Sequence, residues 1–239
     1  MLNMESIANL YLDLESHFKG ENKSHIAREA VSDAIPLKLY YENLPVYERV
    51  YEELYLFYSL YSQNTTNVAS SKVLKLICRD LEDLGYEYEI SFYERYFYKH
   101  KRENIEALRQ LIDLLRCRYD RPLYLRDLVS IKRVGVKSAS LICNQFIHPD
   151  SWPVVDVNVF KAYLELQKIY DTPLIKTPNA LFLVLVDLNN FCQDNLGFEL
   201  SRLLYAYQTH KRKNRGLVRP CETSGRSVHC KLCPLARAF

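Results

Sequence analysis

Apolar residues recur at i, i+3 and i+4 along most of the chain, and only six of its 239 residues are glycine. That spacing gathers apolar side chains on one face of a helix, whereas a strand would alternate them with period two. No such alternation rises above the helical signal, so the chain reads as all-α, with helices over residues 7–18, 45–62, 70–84, 102–116, 124–129, 136–146, 157–169, 179–190 and 196–208. Tyr47, Tyr51, Tyr55 and Tyr58 make a helical stripe, which packing explains more simply than base stacking. The length favours two small domains over one large one. No apolar run reaches the roughly 20 residues a membrane span needs, and even 181–188 is broken by Asp187. Acidic Glu5, Asp13 and Glu15 near the start do not fit an export or transit signal. The expectation is a soluble, intracellular protein with no membrane partner. Seven cysteines, an odd number, agree with free thiols in a reducing compartment.

Charge is distributed unevenly. Residues 201–239 carry nine Lys or Arg against one acidic residue, Glu222, an excess of +8 that leaves the other 200 residues near −5 in a chain of net +3. A basic tail on a mildly acidic body suits a phosphate-backbone partner, although solvated basic tails with no partner are also common.

Two stretches carry the chemistry. From Leu128 the chain reads LVSIKRVGVKSASLICNQF, a short helix, a tight turn at Arg133-Val134-Gly135, and a second helix beginning near Val136. Gly135 is expected to supply the turn's conformational freedom. The N-H groups at the start of the second helix would favour an anion such as a DNA phosphate. After a turn-rich connector over 147–153 comes PVVDVNVFK, where Asp156 occupies a natural N-cap 19 residues after Lys137.

The pairing of VGVKSA with PVVDVNVFK resembles the helix-hairpin-helix, Gly/Pro-rich loop and catalytic aspartate of the endonuclease III superfamily of DNA glycosylases. YSQNTTNV around Gln63 is similar to that family's S-A-Q-x-T-D segment, and residues 100–105 to the helix start before its hairpin. The resemblance spans about residues 45–163 and returns at the C-terminus. It implies a two-domain endonuclease III-like helical fold. One domain would be a helical barrel with the hairpin over 43–153. The other would combine 1–42 and 154–239 and carry a Cys-rich loop. Substrate would lie between them.

By the same resemblance, Lys137 is the Schiff-base amine and Asp156 the catalytic carboxylate. Gln63 enters the space left by the flipped nucleotide, and Arg133, Val134, Gly135 and Val136 contact DNA. Arg133 departs from the pattern, standing where the family has its first hairpin glycine, and either the turn tolerates a side chain there or Arg133 adds a phosphate contact. Asn158 stands where many members have histidine. Lys211, Arg212, Lys213 and Arg215, with Arg219, are expected to touch phosphates. The partner implied is duplex DNA with a damaged base, bound by a monomer. Oxidised pyrimidines are favoured, with 8-oxoguanine and mismatched thymine as alternatives, and a non-catalytic DNA-binding module as the rival from another class.

Cys221, Cys230 and Cys233, separated by eight and two residues, resemble the family's four-cysteine 4Fe–4S loop. The fourth position is Phe239, and neither Cys192 nor His229 stands at the family's place. A cluster with a substituted ligand, a zinc site and no metal at all are the three readings.

Overall fold

The structure, a computed structural model, describes residues 4–18, 26–63, 65–119, 123–192 and 194–213. Among these the chain is all-α, with no strand. It divides into two compact units, one of residues 24–150 and the other of 1–23 with 151–239. No helix among the described residues is long and apolar enough to cross a membrane.

The unit of 24–150 is built around α4 (Leu44–Tyr61), whose run from Glu53 to Leu60 is buried on every side. A helix that is apolar all round must be covered all round. α2 (Ile26–Ser32), α3 (Leu37–Glu42), α5 (Asn67–Asp83), α6 (Lys101–Arg116) and α8 (Val136–Phe146) provide that cover. Residues 24–42 therefore belong with the hairpin, not with the terminal segments as the sequence suggested, because α2 packs on α4 and α5, and α3 on α4. Asn43 starts α4 by accepting from Val46 N, and Thr66 starts α5 by accepting from Ala69 N.

The tyrosine stripe runs along α4 from half-buried Tyr47 and Tyr51 to fully buried Tyr55, whose hydroxyl donates to Leu141 O of α8 at 3.2 Å. Among the described residues one carboxyl is buried in this core. Glu53, 4% exposed, accepts from the hydroxyls of Tyr88 and Tyr93 at 2.6 and 3.1 Å. Burial pushes its carboxyl above the usual glutamate range, opposed by those two hydrogen bonds.

In the other unit, α11 (Leu196–Lys213) packs on α1 (Met4–His17), α9 (Val157–Tyr170) and α10 (Pro178–Cys192). Ile7, Leu10, Leu14, Tyr163, Leu185 and Leu204 are fully buried in it. Gly197 sets how closely α11 approaches α10. Its N–H donates to Asn189 Oδ1 at 2.6 Å, and a Cβ there would strike the backbone carbonyl of Leu185. Backbone cannot swing aside as a side chain can. Gly197→Ala is expected to lower the unfolding free energy by about 2–3 kcal/mol, measured by urea denaturation followed by circular dichroism.

Candidate active site

The hairpin consists of α7 (Leu125–Val129), a turn and α8. Asp127 Oδ2 accepts from Tyr124 N at 2.8 Å at the start of α7, and the turn closes through Ile131 N to Leu128 O and Val134 N to Ile131 O, at 3.1 and 3.0 Å. Val134 is buried, so its part in the hairpin is packing.

The strained residue of the turn is Arg133, with φ of +77°. A residue with a Cβ adopts that left-handed conformation at a cost of about 1–2 kcal/mol. Neighbouring groups hold it there. Gln63 Nε2 donates to Arg133 O at 2.9 Å, and Arg133 Nε donates to Asn104 Oδ1 at 3.3 Å. Asn104 is fixed in turn by donating to Lys99 O at 3.0 Å. Lys132 pairs with Glu103 at 3.1 Å, holding that carboxyl below its usual range, and His100 Nδ1 lies 2.9 Å from the same carboxylate. The first turn of α6 thus braces the hairpin.

Gly135 does not play the part expected of it. Its φ of −82° and ψ of 170° are extended backbone that any residue adopts. The glycine-like conformation belongs to Arg133, and what Gly135 contributes is bareness. A Cβ there would meet nothing within 4 Å, no side chain caps α8, and the first helical bond is Ala139 N to Gly135 O at 2.9 Å. The positive end of an 11-residue helix is left uncovered, with Gly135 exposed and Val136 half-buried beside it.

Lys137 lies in the first turn of α8, half-buried. Its Nζ donates to Ser62 O at 3.4 Å and Ser62 Oγ at 3.3 Å. Next to it, Ser138 Oγ donates to Ser59 O at 2.6 Å and accepts from Gln63 Nε2 at 2.9 Å. Gln63 from one sequence segment and Arg133 and Lys137 from another are therefore brought together. Ser62, Ser138 and Asn104 complete the group, and the sequence reading missed them. YSQNT contains Ser62, but only the glutamine was given a role.

Asp156, in the other unit, caps α9. Oδ1 accepts from Asn158 N and Val159 N, both at 2.8 Å, and Oδ2 accepts from the Asn158 side chain at 3.0 Å. Asn158 thus fixes the carboxylate's second oxygen. The carboxylate is half-buried at the N-terminus of a 14-residue helix, where a negative charge is favoured.

The side chains of Lys211, Arg212 and Lys213 lie outside the described residues, as do Arg215, Arg219, Cys221, His229, Cys230, Cys233 and Phe239. Among the described residues no group of three His, Cys, Asp or Glu could hold a metal ion. Burial pushes the thiols of Cys78 and Cys143 up to about 12.

No family model matches the chain, and neither a curated protein nor a solved structure matches it.

The strain at position 133 gives a direct test. Arg133→Gly and Arg133→Ala delete the same contacts, but only glycine relieves the left-handed backbone. The glycine variant is expected to be the more stable of the two by about 1 kcal/mol, measured by chemical denaturation.

Proposed function

We propose that the chain is a base-excision DNA glycosylase with AP-lyase activity, of the endonuclease III-like helix-hairpin-helix type. The observation that carries the reading is the half-buried Lys137 amine in the first turn of α8, directly after a turn whose helix end is bare. A bare helix N-terminus is an anion site, and a DNA phosphate is the anion this function supplies. The fork of Arg133 adds a second phosphate donor, which offsets the cost of its strained backbone.

A base within a duplex is out of reach, so the target nucleotide is flipped out at a cost of a few kcal/mol in lost stacking, less for a damaged pair. Breaking the glycosidic bond develops positive charge on the sugar, and Asp156 stabilises it. The Nζ lone pair of Lys137 forms a bond to C1′ as the glycosidic electron pair leaves with the base, which takes up a proton while the nitrogen releases one. Opening of the sugar at O4′, with a proton to that oxygen, gives the imine. Removal of a C2′ proton then expels the 3′ phosphate. Gln63, seated on the hairpin, fills the gap in the stack. Lys211, Arg212, Lys213 and Arg215 supply further phosphate contacts, and by the family resemblance Cys221, Cys230 and Cys233 would be ligands of a 4Fe–4S cluster whose fourth ligand is not identified, with zinc or no metal as the alternatives that iron and zinc analysis separates. Oxidised pyrimidines are the favoured substrates, with 8-oxoguanine and mismatched thymine as the alternatives.

A second reading, a DNA-binding module without chemistry, is favoured by one feature. The bonds from Lys137 to Ser62 also satisfy the end of α4, a structural task an inert lysine performs equally well.

Incubation with abasic-site duplex and borohydride separates the two. The glycosylase reading expects a covalent adduct that Lys137→Gln abolishes, and base excision slowed by at least about 100-fold in Asp156→Asn. DNA binding without an adduct supports the module. Gly135→Ala is expected to weaken duplex binding while changing the unfolding free energy by less than about 1 kcal/mol, as read by fluorescence anisotropy and thermal denaturation. Equal affinity in that variant would remove the hairpin from the DNA interface.

A further inference from the structure

Ser62 is the C-cap of α4, with its N–H donating to Tyr58 O at 2.9 Å and the residue only 6% exposed. The last carbonyls of a helix have no intrahelical donor, so the Ser62 carbonyl needs one from elsewhere. Lys137 Nζ provides it at 3.4 Å, and Ser62 Oγ accepts from the same nitrogen at 3.3 Å. Two acceptors from one residue converge on one amine.

We infer that Ser62 is a positioning residue that aims the Lys137 amine for attack, a role that rests on the lyase reading above. A neutral lysine amine has two N–H bonds and one lone pair. Ser62 offers two acceptors, so when both N–H bonds point at it, the tetrahedral geometry of nitrogen fixes the direction of the lone pair. A flexible four-carbon side chain gains from such a seat, because orienting a nucleophile before reaction removes part of the entropic barrier. Distances of 3.3 and 3.4 Å are at the long end of hydrogen bonding, which orients the amine while letting it go as its new bond forms.

The seat does not drift, because it belongs to the same braced block as the amine. Ser138 Oγ bonds to Ser59 O one turn before Ser62, and Gln63, immediately after it, bonds to Ser138 Oγ and Arg133 O. The end of α4 and the start of α8 are thereby fixed on both sides of the Ser62–Lys137 contact.

The reaction to follow is imine formation with an abasic aldehyde. The Nζ lone pair bonds to C1′, the carbonyl pair moves to oxygen, the nitrogen's proton is transferred, and water leaves. Borohydride then delivers hydride to the imine carbon and fixes the adduct as a secondary amine.

Full-length protein is mixed with abasic-site duplex at saturating protein, and the rate of trapping is measured for wild type, Ser62→Ala and Ser62→Thr, together with duplex affinity and thermal stability. Ser62→Ala is expected to trap about tenfold or more slowly, with unchanged duplex affinity, while Ser62→Thr, which keeps the hydroxyl, restores the rate. A purely structural serine would instead show up in stability or affinity, and the trapping rate of the bound complex would not move. Equal trapping rates in wild type and Ser62→Ala overturn this inference and leave the lyase reading standing. A wild-type protein that forms no adduct overturns both.

Discussion

The packing of the last turn of α4 against the first turn of α8 fixes every other feature of the candidate site in the hairpin unit. The joint is made by hydrogen bonds from Ser138 Oγ to Ser59 O, from Lys137 Nζ to Ser62 O and Oγ, and from Gln63 Nε2 to Ser138 Oγ and Arg133 O. The Ser138–Ser59 bond is buried, where a polar group left without a partner costs about 1–3 kcal/mol, while the others are part-buried or exposed. The joint therefore stabilises the unit and determines where Lys137 can stand. Behind it, the all-round burial of α4 keeps its end from shifting, since close-packed side chains leave no space for a small displacement.

A second brace acts from α6. Asn104 and Glu103 reach Arg133 and Lys132, so the hairpin turn is gripped from two helices at once. That grip explains how an arginine sustains a left-handed backbone. Strain of about 1–2 kcal/mol persists only where surroundings over-determine it, and here a carbonyl bond from Gln63 and a side-chain bond to Asn104 do so. In the other unit, Asp156 is fixed more simply, by two N–H groups of its own helix and by Asn158.

The sequence made the long helices legible because their apolar periodicity extends over three or more turns. All nine expected helices are present, with ends displaced by a few residues. α2 and α3 escaped notice because seven and six residues are too few for periodicity to stand out and Pro36 between them reads as a break, whereas the five-residue α7 was legible from the hairpin motif it opens. Lys137, Asp156 and Gln63 were legible as local motifs. Ser62 was not, since its importance arises from a contact 75 residues away along the chain. The turn's backbone was also hidden. Glycine at 135 drew the expectation of conformational freedom, while the left-handed residue is Arg133, whose conformation is imposed by tertiary partners.

On the proposed lyase reading, the amine that Ser62 accepts from is the one that reacts at the sugar. Peptide mass spectrometry of the borohydride-reduced complex with abasic DNA, after nuclease and protease digestion, locates the reacting nitrogen directly. A deoxyribose remnant is expected on the peptide containing Lys137. A remnant on Lys132, Lys161 or any other amine, with Lys137 unmodified, would contradict it.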